Sequence, residues 1–146
     1  MPPNVSVIQH KLEQLDRYLQ ALRQLQGRTL EELQRETSIA WAVEHGLQIC
    51  IQCIVDVCQH LVAGLALGSP TSSIAAIDML EAAGVFPATF AQTLRGMVRF
   101  RNVIVHAYAQ VDLCIVHAAL TGHLDDFVRF AREVSELLAA QDRDHS

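Results

Sequence analysis

The stretch "AWAVEHGLQICIQCIVDVCQHLVAGLAL", residues 40–67, restricts this chain more than any other. It is apolar enough to suggest a membrane span, yet it holds Glu44, His45, Gln48, Gln52, Asp56, Gln59 and His60. At about 100° per residue these polar positions form one stripe covering less than half the circumference of a helix. A lipid-facing helix would not carry Glu44 and Asp56 inside its span. The stretch is therefore expected to be the core helix of a bundle, with one wet face and no membrane.

The rest of the chain supplies partners with the same period. Val5, Ile8, Leu12, Leu15, Leu19, Leu22 and Leu25 recur at spacings of three and four, the pattern of an amphipathic helix that Gly27 ends. Thr29 followed by Glu32 reads as a capping box that starts the next helical region, which runs to about Leu67 with a break expected near Thr37 and Ser38. "GSPTSS" is a loop, and Ser72 or Ser73 caps a short helix that Gly84 terminates. Pro87 suits the first turn of a helix through Arg95 and Arg99. A short helix over about 113–120 and an amphipathic one from Leu124 follow, and the polar tail 141–146 is expected to fray. The expected fold is all-α: one domain over 1–146, an up-down bundle of about five or six helices.

The amino terminus shows no secretory signal pattern, which makes the cytoplasm the expected location. Three of the four cysteines (Cys50, Cys53 and Cys58, but not Cys114) share the apolar helix. Cys50-x-x-Cys53 matches half of a zinc site, but no second pair or His-x3-His follows, so the thiols are expected to pack as small hydrophobes. The formal charge of −5 argues against nucleic acid, but its distribution does not. Residues 82–111 hold Arg95, Arg99, Arg101 and His106 and no acid at all. Such a segment can present a local anion site, or can be buried with its arginines reaching outward.

Within it lies "RFRNVIVHAYAQVD", residues 99–112. On a regular helix Asn102 and His106 share a face, whereas Arg101 lies about 140° from His106. Both can reach one small group if the arginine stem bends round, if the helix breaks, or if a second copy of the helix supplies the partner; the last would make a homodimer with a composite groove. Arginine offers a permanently charged fork for phosphate oxygens and histidine a proton exchanger near neutral pH. Together they can promote attack of a ribose 2′-hydroxyl on its own phosphodiester, leaving a 2′,3′-cyclic phosphate and a 5′-hydroxyl, with no metal or cofactor. Taken alone, the pair fits a surface arginine and a core histidine at least as well.

"FRNVIVHAY" resembles the Arg-Asn-x3-His-x-Tyr signature of the HepT family of toxins in the HEPN superfamily. "AVEHGLQICIQCIVDVCQHLVAG" and "AIDMLEAAGVFPATFAQTLRGMVRFRN" are similar to the family's second helix and middle section, and the terminal helices fit as well. The resemblance implies a small homodimeric ribonuclease with paired motifs lining a cleft. Arg101 and His106 would be catalytic, and Asn102 would orient the histidine or its helix. Tyr108 would be the hydroxyl to which a minimal nucleotidyltransferase antitoxin adds AMP. Asp56 and His60 match polar positions able to contact the motif helix, or form a solvated stripe. Arg95 and Arg99 are expected to tether phosphates beside the cleft, or to be ordinary exposed residues. Trp41 is expected to serve packing rather than base stacking. The RNA itself, whether tRNA, mRNA or another, is not identified by the residues. Two other classes compete: a non-catalytic nucleotide- or substrate-binding subunit of a nucleotidyltransferase, and a helical dimerisation protein without a ligand. Only the nuclease requires His106 to titrate.

Overall fold

The computed structural model describes residues 5–106 and 111–144, apart from the side chains at 105 and 106. Among the described residues seven helices follow one another: α1 (Val5–Leu25), α2 (Leu30–Arg35), α3 (Thr37–Gly64), α4 (Ser73–Ala82), α5 (Ala88–His106), α6 (Leu113–Gly122) and α7 (Leu124–Asp144). There is no strand among the described residues. The four long helices make the bundle, and the short α2, α4 and α6 link them.

Local chemistry sets most boundaries. Thr29 caps α2 by accepting from the Glu32 amide at 3.1 Å. The expected break near Thr37 falls at Glu36, which closes α2 and opens α3. Ser72, not Ser73, caps α4, its Oγ accepting from the Ala75 amide at 3.0 Å. At the other end of α4, Gly84 has φ 78, so its amide reaches the Glu81 carbonyl while that of Val85 reaches Leu80. These paired bonds satisfy carbonyls the helix end would orphan. The same closure ends α3 around Ala66, which holds φ 56 without glycine's freedom. Pro87 stands just before α5, its carbonyl accepting from Ala91 at 2.9 Å. α7 runs on to Asp144, so much of the segment expected as a frayed tail is helical.

α3 lies at the centre. It is long and apolar enough to cross a membrane by length and composition, but its buried side chains, from Ala40 to Val62, pack inside the bundle. α1 runs antiparallel to it: Lys11 pairs with Asp56 near one end, and Leu22 packs on Gly46 near the other. Gly46 is there for closeness, since a Cβ would stand 2.7 Å from Leu22 Cδ2. Phe86, Phe90 and Phe130 are fully buried, with ring centroids of Phe86 and Phe90 5.8 Å apart in an edge-to-face pair. Arg129 covers the outside of that cluster, its guanidinium 4.2 Å from the Phe90 ring centre. Arg23 ties α1 to α7 through Asp125.

Candidate active site

α5 delivers Arg101 to the wet face of α3. Arg101 Nη1 donates to Gln52 Oε1 at 2.9 Å, and Nη2 donates to Asn102 Oδ1 at 3.1 Å. Gln52 Nε2 in turn donates to Asp56 Oδ1 at 2.9 Å, and the other carboxylate oxygen of Asp56 meets Lys11 Nζ at 3.1 Å. A polar chain thus crosses three helices, Lys11 on α1, Asp56 and Gln52 on α3, and Arg101 on α5. Its directions are fixed by chemistry: a guanidinium only donates and a carboxylate only accepts, so the amide oxygen of Gln52 must face Arg101 and its nitrogen Asp56. Arg101 is half-buried and still has donors to spare for an incoming anion.

The residues singled out in the sequence divide clearly. Asp56 is linked by described hydrogen bonds to the motif helix through Gln52. His60, one turn further along α3, has no described bond to α5. Asn102 turns its side-chain oxygen to Arg101. Arg99 is exposed and has no described ion pair. Arg95 does not stand free to tether phosphate: it is held by Asp78 Oδ1 at 3.0 Å and Glu81 Oε1 at 2.6 Å, two acids of α4. Those carboxylates raise its pKa still further, chiefly through the bond to Glu81, and balance its charge. The side chain of His106, and Tyr108 altogether, lie outside the described residues. Trp41, expected to pack, is 67% exposed.

Cys50, Cys53 and Cys58 are buried and Cys114 is exposed. Burial pushes the Cys50 and Cys58 thiols up to about 12 and raises Cys53 as well, so they remain protonated packing groups. Among the described residues no three His, Cys, Asp or Glu side chains gather as a metal would require. An apolar cavity of about 410 Å³ opens between α3, α5, α6 and α7, walled by Leu47, Ile51, Met97, Phe100, Ile115 and Phe127. Its polar lining is Thr93, His123 and Asp126, with His123 Nδ1 3.2 Å from Asp126 Oδ2. The rest of the lining is apolar.

A half-buried arginine presented from an acid-free helix and steadied by an amide on the central helix is a group able to take an anion such as a phosphate. The chain belongs to the HepT-like ribonuclease family, whose model matches residues 8–134. It is 27% identical over 124 residues to the mRNA nuclease HepT of Shewanella oneidensis, covering 85% of this chain and 92% of that one. It is 23% identical over 132 residues to the tRNA nuclease HepT of Aphanizomenon flos-aquae, covering 90% of each. Among solved structures, a tri-AMPylated Shewanella oneidensis HEPN toxin in complex with MNT antitoxin superposes with a TM-score of 0.82 at 25% identity, over 89% of this chain and 97% of that one. A cytosolic protein of unknown function from Bacillus subtilis, YutE, shares the fold with a TM-score of 0.81 at 19% identity, over 95% of this chain and 93% of that one.

Proposed function

We propose that this chain is the toxin of a toxin–antitoxin pair, a cytoplasmic, metal-independent endoribonuclease. The observation that carries the reading is the anchoring of Arg101 by Gln52 in a segment free of acids, within a chain that matches a ribonuclease family over most of its length. In this reading Arg101 takes a phosphate oxygen of the RNA and stabilises the phosphorane charge. His106 removes the 2′-hydroxyl proton; the 2′-oxygen bonds to phosphorus, the bond from phosphorus to the 5′-oxygen breaks, and that oxygen takes a proton. Each proton-transfer role contributes about 10²–10⁴ in rate. Asn102 steadies Arg101, and exposed Arg99, seven residues before His106 and so on the same face of α5, takes a further backbone phosphate.

Two copies are proposed to pair through the motif helices. The about 140° between Arg101 and His106 favours this arrangement, as does Val103, which lies about 60° round from His106 and is 56% exposed. A minimal nucleotidyltransferase is the proposed antitoxin, adding AMP to Tyr108. The phosphate and base would offset the charge of Arg101 and fill the space that RNA needs. The MNT antitoxin bound to the Shewanella toxin supports this partner.

The decisive experiment is cleavage of RNA in EDTA by wild type and His106→Ala, with the product ends analysed. Cleavage by wild type alone, leaving cyclic phosphates, is expected. Equal activity in the two proteins removes His106 from the chemistry, and retained binding without any cleavage favours a recognition subunit. Tyr108→Phe is expected to cleave and to escape silencing by the cognate transferase.

A further inference from the structure

We propose that Trp41 is a base-stacking subsite, on which the RNA strand gripped at Arg101 lays a nucleobase; the proposal rests on the ribonuclease reading above. Trp41 is the chain's only tryptophan, and two-thirds of it faces solvent. An exposed apolar side chain is ordinary in itself, but an indole offers a flat face and a polar N–H to a stacking partner. Its place on α3 says which. Trp41, His45, Gln48 and Gln52 are spaced by four, three and four residues, so they share one face within about 60°. Gln52 is the residue that holds Arg101. The indole therefore stands at one end of a straight stripe whose other end is the anion-binding fork, about 16 Å away along the helix. That is a span of a few nucleotides.

The floor between them suits a single strand. His45 and Gln52 are exposed and Gln48 half-buried, three side chains able to bond base edges or sugars without imposing a fixed charge pattern. Glu44 is the one acid between residues 37 and 55, and it sits about 60° round from Trp41, at the edge of the stripe. The composition disfavours a protein partner. The other large exposed apolar side chains among the described residues, Val5, Val103, Ile115 and Val128, belong to other helices. A single indole set among amides and an imidazole is a stacking platform, whereas the fully buried core of a protein interface needs a contiguous apolar patch that this stripe lacks.

The sole tryptophan makes the test direct. Full-length His106→Ala, which keeps the strand uncut, is titrated with single-stranded oligoadenylate and oligouridylate of graded length while tryptophan emission is followed. Emission is expected to be quenched on saturation. Adding Trp41→Ala is expected to weaken binding of a long strand about 5- to 100-fold, adding Trp41→Phe to restore most of it, and the loss to shrink as strands become too short to reach from Arg101. Unquenched emission with unchanged affinity in Trp41→Ala overturns the subsite; if wild type still cleaves RNA in EDTA, the ribonuclease reading survives. Failure of His106→Ala to bind RNA, together with failure of wild type to cleave it, overturns both. A blue-shifted indole before RNA is added, with loss of an oligomer on Trp41→Ala in sedimentation, assigns Trp41 to a protein contact and also overturns the subsite.

Discussion

Gln52 accepts from Arg101 and donates to Asp56 through opposite ends of one amide, each bond 2.9 Å long. The pair joins the motif helix to the central helix at a point where neither backbone makes the connection. An arginine left on its long flexible stem loses rotamer entropy each time it grips a phosphate; one already steadied loses less.

Gln52→Ala is therefore expected to lower kcat/KM for RNA by about ten-fold, the scale of one hydrogen bond to a charged group near solvent. Gln52→Glu places a carboxylate beside Asp56 and against the guanidinium, which competes with substrate for Arg101, and is expected to cost at least as much. Steady-state cleavage kinetics beside a thermal melt separates the roles: Gln52 is exposed, so the melting temperature should hardly move. A large drop in stability with unchanged kinetics would make the contact merely structural.

How much of this was legible depends on whether the cause was local. The helices were, because three- and four-residue spacing and the Thr29, Ser72 and Gly84 signals act within a few residues. The wet stripe was too, and the angular position of Trp41, about 20° from Gln52, already placed the indole on it. The expectation of packing gave weight to residue type over that angle. Gln52 carried no charge or motif to single it out; its role depends on the register of α5 against α3. Arg95 seemed free because residues 82–111 hold no acid, but Asp78 and Glu81 reach it from the neighbouring helix. Ion pairs across helices leave no trace in a local window.

The thiols give a test of burial. With Cys50 and Cys58 pushed up to about 12 and Cys53 also raised, their thiolate populations at about pH 8 are very small, and all three are sequestered. An aromatic disulfide reagent is expected to modify one thiol per native chain quickly, at exposed Cys114, and all four after denaturation in guanidinium. Cys114→Ser should abolish the fast phase. A second fast thiol in the native protein would show that α3 opens to solvent.

Glu44 sets a pH dependence. Burial raises its carboxyl above the ordinary range, so the fold favours the protonated form. The stability this contributes is fully present below the unfolded pKa and is lost as pH rises through the higher folded value. Glu44→Gln is neutral at every pH and should match wild type near about pH 4. At neutral pH it should melt higher, by about 1–2 °C, since partial exposure screens much of the penalty. Melts across that range check it; a constant offset at all pH values would point to packing instead of ionisation.

Two glycines on the faces of α3 and α5 should respond to alanine in opposite directions. In both helices the substitution relieves glycine's conformational cost, by about 0.5–1 kcal/mol. At Gly46 the new methyl would stand 2.7 Å from Leu22 Cδ2 and 3.1 Å from Leu22 Cγ, and Leu22 is only 1% exposed. A side chain enclosed on all sides can move only by disturbing its neighbours, and overpacking of this kind costs about 1–3 kcal/mol, so Gly46→Ala is expected to destabilise. At Gly96 nothing stands within 4 Å of the added carbon, so Gly96→Ala keeps the whole gain and raises the stability of the single chain. Chemical denaturation at low protein concentration measures both. Repeating the Gly96→Ala measurement at high concentration reports on the proposed pairing of motif helices: if a second copy packs against Gly96, the methyl blocks close approach and the gain turns into a loss as dimer forms.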